Sequence, residues 1–545
     1  MEKRNNLKIW TPIIAASFLV VGLLMGSFMS RNSWQQNGMY VNKLNALMSL
    51  IDSRYVDTIN QNEMIESLMP QILAQLDPHS IYLSAKDVKA ANESIEGSFS
   101  GIGVEFNIID DTIRVVSVVA GGPSQKVGLK PGDKVIRING KPFVGKKVNN
   151  EAVLKLLRGE KGSTVKVTVL RHKAHKMFTF TITRDDIPLY SLDAKYRIGS
   201  DIGYIKINTF GRTAHTEFLQ AMAYLTQKKC TKFIIDLRGN TGGLMEPALQ
   251  IANEFLPAGK LILYTQGKSY PKEEFKSNGK GMFQNSPLVI LTDEWSASSS
   301  EILSGAMQDN DRAYLVGRRT FGKGLVQNEI PFRDGSAVRL TIARFYIPSG
   351  RCIQKPYKKG ADANYQNDIL NRYLGGEFDS QDSIEVDFKQ AYKTSGGRTV
   401  YGGGGIIPDY FVPIDTSGVT SWYNKVNSQG LIQGFAYNYA DTYRDSLSRF
   451  KDANRLSFFL EDQNLIPGFV DYAWTRGVMG RDFIIEPSYP LVLTQIKAFI
   501  ARNMLGEDAF WKILQENDPT LTKGVEVVST MKGGMVSMKP QKKKR

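Results

Sequence analysis

The segment from Pro287 to Gln327 reads PLVILTDEWSASSSEILSGAMQDNDRAYLVGRRTFGKGLVQ. Its apolar run Leu288–Thr292 predicts a buried strand, and Glu301–Met307 predicts a helix, with a Ser-rich turn between them. A serine at such a turn is exposed at the carboxyl edge of a sheet, and the helix N-terminus beside it offers unpaired N–H groups to a developing oxyanion. This strand–turn–helix unit indicates a βα-layered domain and predicts where its chemistry lies.

A serine hydroxyl needs a base within hydrogen-bond reach to act as a nucleophile. The histidines of the chain all lie outside this segment: His79, His172, His175 and His215. Lys323 lies inside it, between glycines and apolar residues, where a partly desolvated ammonium loses its proton more easily. The sequence therefore favours a Ser-Lys pair, and Gln327 can orient the lysine amine by hydrogen bonding. The alternatives are a serine that only caps a helix and a solvated lysine.

A second strand–loop–helix unit, KFIIDLRGNTGGLMEPALQIANEF, runs from Lys232 to Phe255. The glycines of its loop permit a close backbone approach. The loop lacks the Gly-x-Gly-x-x-Gly and Walker spacings, which argues against nucleotide binding. The chain has no CxxC and no Cys/His ligand spacing, so we expect neither a metal nor another cofactor.

The net charge of +15 does not by itself indicate a nucleic-acid partner. Lys and Arg are scattered, and the densest run is the terminal KKKR at 542–545, so we expect a basic surface and no nucleic-acid binding. An anionic membrane surface fits this charge better. Cys230 and Cys352 are expected to be free thiols, although a bridge between them is geometrically possible in an oxidising compartment.

The first thirty residues begin with basic side chains and continue as an apolar run from Ile9 to Met29. A helix needs about 20 apolar residues to cross a bilayer, whereas the apolar part of a signal peptide has about 7 to 15. Since no Ala-x-Ala cleavage site follows, residues 1–30 are predicted to be an uncleaved signal anchor, with a removed signal peptide as the alternative. The positive-inside rule leaves the N-terminus in the cytoplasm and sends the remaining chain across.

The predicted fold class is a multidomain protein with α/β and β parts. Helical spacing of apolar residues, short β-rich runs punctuated by Gly and Pro, and long aromatic-rich helical patterns distinguish its segments. The N-terminal helices can pack on their own chain or form a dimer surface. The predicted segments are a transmembrane anchor (1–30), a helical N-terminal segment (31–83), a small β-domain (84–186), a βα-layered core (187–416), a helical C-terminal region (417–530) and a disordered basic tail (531–545).

The strings SASSSEI, QDNDRA and TFGKGLVQ, in this order, resemble the carboxy-terminal processing proteases, or tail-specific proteases, of peptidase family S41. The resemblance covers roughly residues 44–412 and implies a ClpP/crotonase-like protease core. It also implies that Ser298 is the nucleophile, Lys323 the general base and Gln327 the side chain that positions the base. The family usually has alanine where this chain has Ser299, which leaves several neighbouring serines to consider.

The same resemblance implies an oxyanion hole formed by a backbone N–H of Gly242 or Gly243 and by that of the residue after the nucleophile, Ser299. The stretch GGPSQKVGLKPGDKVIRING, residues 121–140, resembles the middle of a PDZ domain. Consecutive N–H groups of a Gly-rich loop can hold a terminal carboxylate while the peptide adds as a strand. The loop expected to do this consists of Gly101, Ile102, Gly103 and Val104. Arg158 resembles a family position that helps couple the PDZ domain to the protease core.

Together these features imply a serine endopeptidase that acts on protein substrates with exposed apolar C-termini. It is expected at a bacterial inner membrane, with its catalytic part on the periplasmic side. A homo-oligomer or an adaptor partner is compatible with the sequence. The alternative is a catalytically silent membrane adaptor that only binds tails. A Ser-His hydrolase would need a Gly-x-Ser-x-Gly elbow, which the sequence around Ser298 lacks.

Overall fold

The computed structural model describes residues 43–109, 111–119, 121–146, 148–171, 176–360 and 363–536. The predicted signal anchor, His172, His175 and residues 537–545 of the predicted tail lie outside these ranges. Among the residues described, no helix combines the length and the apolar content needed to span a bilayer.

Residues 1–75 and 76–545 form separate compact units, and the first is described from residue 43 onward. Its helices are α1, residues 43–54, and α2, Gln61–Leu73. The side chain of Asn60 caps α2 by accepting a hydrogen bond from the N–H of Asn62 (3.1 Å). Apolar side chains of both helices are about half exposed: Leu44, Leu47, Leu50, Ile65 and Ile72. The helices predicted here are therefore present, and they expose part of their apolar surface.

The second unit begins with β1 (Ile81–Leu83) and α3 (Ala85–Glu96), which lead into a small β-domain. The strands of that domain and of its entry and exit are β2 (Ser98–Gly101), β3 (Val104–Ile109), β4 (Thr112–Val118), β5 (Lys134–Ile138), β6 (Lys141–Pro142), β7 (Thr164–Arg171), β8 (Lys176–Thr183) and β9 (Asp185–Pro188). Its helices are α4 (Pro123–Lys126) and α5 (Asn150–Leu157). The antiparallel sheet has the order β3-β4-β5-β7-β8, with β6 on β5, while β2 pairs with β9.

The βα-layered core follows. Its strands are β10 (Leu192–Ile198), β11 (Ile202–Ile207), β12 (Lys232–Asp236), β13 (Leu261–Gln266), β14 (Glu273–Lys276), β15 (Leu288–Thr292), β16 (Tyr314–Gly317), β17 (Leu325–Pro331), β18 (Ala337–Tyr346), β19 (Ala391–Lys393), β20 (Thr399–Tyr401) and β21 (Tyr410–Phe411). Its helices are α6 (Ala214–Gln227), α7 (Met245–Phe255), α8 (Ser299–Asp309), α9 (Ala363–Gln366) and α10 (Asp368–Leu374), with 3-10 turns at Gln381–Ser383 and Phe388–Gln390.

The central sheet has the order β10-β11-β12-β15-β16-β21, and it is parallel except for the β10–β11 pair. A second sheet, β1-β18-β13-β14 with β17 on β18, lies beside it in the same unit. Because successive strand residues point to opposite faces, each central strand contributes to separate apolar clusters. Ile235 and Ile290 pack toward α6, α7 and α8. Ile234 and Val289 pack on the other face.

The C-terminal helices are α11 (Ser421–Ser428), α12 (Leu431–Thr442), α13 (Arg444–Leu447), α14 (Ala453–Glu461), α15 (Leu465–Trp474), α16 (Asp482–Ile485), α17 (Tyr489–Leu505), α18 (Glu507–Leu514) and α19 (Pro519–Thr530), with a 3-10 turn at Glu486–Ser488. Helices α11 to α18 share a core of their own. They contact the small β-domain through polar groups: Arg114 donates to Asn438 Oδ1 (2.6 Å), and Arg502 pairs with Glu105 (2.9 Å).

The end of the described chain differs from the prediction. Helix α19 does not belong to a separate helical region, because Leu521 and Val528 pack on the central sheet against Ile234 and Val289. Residues 531–536 were predicted to begin a disordered tail, yet Val536 is buried and its N–H donates to Asp311 O (3.0 Å). The few apolar side chains of residues 531–536 are therefore enough to hold this segment on the core.

The cysteines also follow the simpler prediction. Cys230 is buried in the central core and Cys352 lies half-buried in the segment after β18, and both are free thiols. The alternative bridge between them is not formed.

Candidate active site

The Ser-rich turn joins β15 to α8, as the sequence predicts. Ser298 is the N-cap residue of α8 and has a φ of 54° and a ψ of −112°. A non-glycine residue with positive φ is strained and persists only where its surroundings fix it. This backbone conformation leaves Ser298 partly exposed at the carboxyl end of the central sheet. Parallel α/β proteins place their reactive groups at this end.

The other serines of the turn are buried, and their hydroxyls are engaged. Each donates to a backbone carbonyl oxygen of the Gly-rich loop after β12: Ser296 Oγ to Leu237 O (2.9 Å), Ser299 Oγ to Gly243 O (3.0 Å) and Ser300 Oγ to Asn240 O (2.9 Å). These hydroxyls hold the two loops together. Ser298 is the member of the group whose position suits a nucleophile.

Glu301, one turn into α8, is a fully buried carboxylate beneath Ser298. Its Oε2 accepts hydrogen bonds from the N–H of Ser298 (2.9 Å) and the N–H of Lys323 (2.8 Å). Its Oε1 accepts from the N–H of Gly322 (2.7 Å) and the hydroxyl of Thr320 (2.6 Å). Burial raises the pKa of Glu301, while these hydrogen bonds oppose the rise. One carboxylate therefore holds the backbones of Ser298 and Lys323 side by side.

The ammonium of Lys323 lies in a partly enclosed position. Its Nζ donates to Gln327 Oε1 (3.0 Å), and Gln327 Nε2 in turn donates to the carbonyl oxygen of His79. Burial lowers the pKa of Lys323, and the charge of Arg339 lowers it further. Within the described part of the chain, Lys323 Nζ makes no hydrogen bond to Ser298. The amine is thus oriented by Gln327 and is more easily neutralised than an exposed lysine.

His79 supports this arrangement through its backbone. Its loop is closed by Asp77, whose Oδ1 accepts from the N–H groups of His79 and Ser80 (both 2.9 Å). The imidazole Nε2 lies 2.5 Å from the hydroxyl of Tyr365. Burial and the nearby Lys323 charge lower the pKa of His79 to about 4. The ring is therefore neutral at neutral pH, and it is the carbonyl oxygen that serves the site.

The Gly-rich loop after β12 approaches Ser298 closely. Gly242 has a φ of 106°, and a Cβ there would lie 2.8 Å from Ser298 Cβ, so only glycine fits. Its N–H, however, donates to Asn240 Oδ1 (2.8 Å). The prediction that Gly242 donates to an oxyanion is therefore wrong in this structure, because the N–H is already used to shape the loop. The N–H groups of Gly243 and Ser299 remain the candidates.

The predicted carboxylate-binding residues connect β2 to β3. Gly103 has a φ of 72°, and a Cβ there would lie 3.0 Å from Ile187 Cδ1, while Ile102 is buried. Strand β3 lies at the edge of its sheet, with β4 on its other side. An extended peptide can add to such an edge while its terminal carboxylate meets the preceding loop.

Arg158 ends α5 and points toward α3. Its Nη1 donates to Glu93 Oε2 (2.6 Å), and its guanidinium lies 4.3 Å from the centre of the Phe99 ring. The residue before Glu93, Asn92, donates to Glu329 Oε1 (3.3 Å) on β17, the strand that carries Gln327. Helix α3 therefore contacts both the small β-domain and the strand that orients Lys323.

Sequence reasoning missed the groups that organise the site: Glu301, Asn240 and the His79 carbonyl. Glu301 carries a readable signal, because Ser298-x-x-Glu301 has the spacing of a capping box. Asn240 and His79 carry none, since their partners are set by tertiary packing. Among the described residues, no group of His, Cys, Asp and Glu could hold a metal ion.

Family models match three separate parts of the chain. The model of peptidase family S41 matches residues 201–365, which hold the Ser298 turn and Lys323. The model of the PDZ domain matches residues 100–182, which hold the predicted carboxylate-binding loop. Residues 422–506 match a family of unknown function.

Individual proteins are also similar to this chain. The carboxy-terminal processing protease CtpB of Bacillus subtilis (strain 168) is 33% identical over 352 residues, which cover 64% of this chain and 72% of that protein. The carboxy-terminal-processing protease of Bartonella bacilliformis is 32% identical over 346 residues, or 63% of this chain and 79% of that protein. The solved photosystem II D1 C-terminal processing protease is 26% identical, with a TM-score of 0.32, over 58% of this chain and 89% of that chain.

Proposed function

Since the chain belongs to the carboxy-terminal processing proteases of peptidase family S41 and carries a PDZ domain, we propose that it is a serine endopeptidase that captures protein C-termini and cleaves peptide bonds with Ser298 and Lys323. The observation that carries this proposal is the Glu301 carboxylate, which accepts hydrogen bonds from the N–H groups of Ser298 (2.9 Å) and Lys323 (2.8 Å). It brings a candidate nucleophile and a candidate base together.

In the proposed reaction, Ser298 Oγ attacks the carbonyl carbon of the scissile bond and its proton passes to the neutral Lys323 amine. The oxyanion of the tetrahedral intermediate accepts hydrogen bonds from the N–H groups of Gly243 and Ser299. The Lys323 ammonium then protonates the leaving amine, and an acyl-enzyme remains. The same amine then takes a proton from a water molecule as the water oxygen attacks the ester carbonyl. The Lys323 ammonium returns this proton to Ser298 Oγ as the ester bond breaks and the acid product leaves.

Lysine suits this role because its environment favours the neutral amine. Burial lowers the pKa of Lys323, so a larger fraction of the amine is unprotonated near neutral pH. Gln327 Oε1 accepts a hydrogen bond from Lys323 Nζ (3.0 Å) and restricts where the amine can point. His79 is not needed as a base, and its carbonyl oxygen fixes Gln327 instead.

Substrate capture is assigned to the PDZ domain. An exposed apolar C-terminus would add to the edge of β3, with its carboxylate on the N–H groups of the loop from Gly101 to Val104. Arg158 would couple the binding of the peptide to the protease core through its contact with Glu93 on α3. The proteins processed or degraded in this way are proposed to be exported ones.

The proposal for the location rests on the sequence alone. We propose that residues 1–30 anchor the chain in the inner membrane and that the catalytic part lies on the periplasmic side. An added protease should digest the PDZ domain in cells whose outer membrane has been opened, while the inner membrane is intact. Protection of the PDZ domain under those conditions would contradict this orientation.

The test of the function is degradation of an unfolded protein with an apolar C-terminus by the full chain. Ser298→Ala and Lys323→Ala should each abolish cleavage, whereas Ser299→Ala, which deletes a neighbouring hydroxyl, should keep most of it. Equal cleavage by wild type and Ser298→Ala would refute the nucleophile. Binding of the tail without cleavage by any form would favour the silent adaptor.

The coupling of tail and core needs its own measurement. Cleavage of the tailed protein should exceed cleavage of the same protein without its apolar tail, and Arg158→Ala should reduce this ratio. Arg137→Ala, on β5 of the same domain, is the matched control. Equal cleavage of tailed and tailless substrate by wild type would refute tail capture.

A further inference from the structure

The Gly-rich loop after β12 begins at Arg238, and this residue is held from several sides. Its guanidinium pairs with Asp236 (2.7 Å) at the end of β12, and its backbone carbonyl oxygen accepts a hydrogen bond from Lys206 Nζ (2.9 Å). From Arg238 the loop runs through Asn240 to Gly243. The position of Arg238 therefore sets where the candidate oxyanion donor Gly243 can lie.

The third support of Arg238 comes from a distant part of the sequence. Arg238 Nη1 donates to Asp518 Oδ2 (2.6 Å), and Asp518 is the N-cap of α19, with Oδ1 accepting from the N–H of Leu521 (2.9 Å). Asp518 thus uses one oxygen for its helix and the other for Arg238. Helix α19 is itself fixed on the central sheet, where Leu521 and Val528 are buried.

Gln515, three residues before Asp518, is linked through a tyrosine to Asp236, the carboxylate that pairs with Arg238. Gln515 is buried between the hydroxyls of Tyr196 and Tyr204, accepting from Tyr196 (2.6 Å) and donating to Tyr204 (2.8 Å). The hydroxyl of Tyr204 donates to Asp236 Oδ2 (2.7 Å). Trp511, one turn earlier in α18, lies 4.8 Å from Lys206 Nζ. Two supports of Arg238 come from outside β12. Asp518 belongs to residues 511–518, and Lys206 contacts Trp511 of the same segment.

This segment lies outside every family match: peptidase family S41 ends at residue 365, and the family of unknown function ends at residue 506. We propose that residues 511–518 complete the protease core and that Asp518 is a positioning residue, which holds the oxyanion loop in register through Arg238. The proposal rests on the proposed function for its kinetic consequence, but its structural consequence does not.

The geometry allows the charge of Asp518 to be separated from its capping role. Asparagine caps a helix about as well as aspartate, so Asp518→Asn keeps α19 while it removes the ion pair with Arg238. Asp452, the N-cap of α14, accepts from the N–H of Arg455 (3.1 Å) and makes no other described side-chain hydrogen bond. Asp452→Asn is therefore a matched control in the same C-terminal region.

In steady-state cleavage of a peptide, Asp518→Asn should lower kcat by about 10- to 100-fold, with KM within about twofold of wild type, because misplacement of a catalytic group acts on the transition state. The affinity for a peptide boronate, which places an anionic oxygen in the oxyanion hole, should fall by a similar factor. Asp518→Glu, which keeps the charge, should recover most of kcat. Asp452→Asn should change none of these by more than about twofold.

Hydrogen exchange supplies a readout that needs no catalysis. The amides of residues 239–243 should exchange faster in Asp518→Asn than in wild type or Asp452→Asn, with the thermal midpoints of both variants alike. Unchanged exchange of this loop would overturn the positioning role, and so would a kcat equal to that of Asp452→Asn. An inactive wild type with faster loop exchange in Asp518→Asn would instead refute the proposed function and leave the positioning role supported.

Discussion

Glu301 and Asp236 are both fully buried carboxylates, and each organises one half of the candidate site. Glu301 holds the half with the nucleophile and the base, and its hydrogen-bond donors are amides and a hydroxyl. Asp236 holds the oxyanion half, and its partners include the cationic Arg238 (2.7 Å). The halves differ in the charge of what surrounds the carboxylate.

That difference sets opposite pKa directions. Burial raises the pKa of Glu301, and neutral donors only partly oppose it. Burial acts on Asp236 in the same sense, but the charges of Arg238 and Lys206 outweigh it and hold the pKa of Asp236 well below its ordinary value. The oxyanion half is therefore stabilised by ion pairing. In the nucleophile half, neutral hydrogen-bond donors only partly offset the free-energy cost of burying the Glu301 charge.

The largest expected effect is on the ion-paired half. Asp236→Asn leaves Arg238 and Lys206 buried without their shared carboxylate, and breaking one side of a buried pair costs about 3–5 kcal/mol of unfolding free energy. A lower thermal midpoint by calorimetry checks this. Asp201→Asn, at a partly exposed pair with Lys232, is the control. A midpoint equal to wild type would remove the contrast between the halves.

The next effect should appear in activity. Glu301→Gln replaces two acceptor oxygens by one oxygen and one NH2 group that faces N–H donors, so the Ser298 turn and the Lys323 loop should separate. We expect kcat to fall by about 10²-fold, because a small misplacement of the nucleophile relative to the base acts on the transition state. Glu246→Gln, at an exposed residue in the first turn of α7, should leave kcat unchanged. Loss of stability as large as that of Asp236→Asn would contradict the distinction.

The pH dependence should come from the nucleophile half. The Lys323 amine must be neutral to act, so cleavage should rise as pH increases through the pKa of Lys323. Because burial lowers that pKa from 10.5, the midpoint of the rise should lie below pH 10.5. Asp236 stays charged throughout this range and adds no step. A pH profile of kcat with its midpoint at or above 10.5 would show that Lys323 is not desolvated in solution.

The smallest effect concerns stability. The folded state holds the Lys323 ammonium at a cost, because its pKa is lower than in the unfolded chain, and this cost fades as pH rises from the folded to the unfolded pKa. Lys323→Met should therefore raise the unfolding free energy at neutral pH, and raise it less at higher pH. Lys268→Met, at an exposed lysine, is the control. A gain independent of pH would point to packing instead.

Sequence patterns located the candidate reactive residues but not the residues that support them. The apolar run of β15, the Ser-rich turn and the glycines around Lys323 are local signals, and the structure has the predicted strand and helix there. The partnership of Arg238 with Asp518 joins residues far apart in the chain, so no local period or propensity can reveal it. The use of the Gly242 N–H by Asn240 is likewise a matter of loop conformation.

The central sheet also has a consequence for how the protein is made. Its strands are complete by Phe411, yet the helix α19, which packs on the apolar face of β12 and β15, begins only after residue 518. A ribosome therefore releases the Ser298 turn long before the element that closes the sheet beneath it. The order of synthesis delays an intact catalytic layer until the helices after the PDZ domain and the core have been translated.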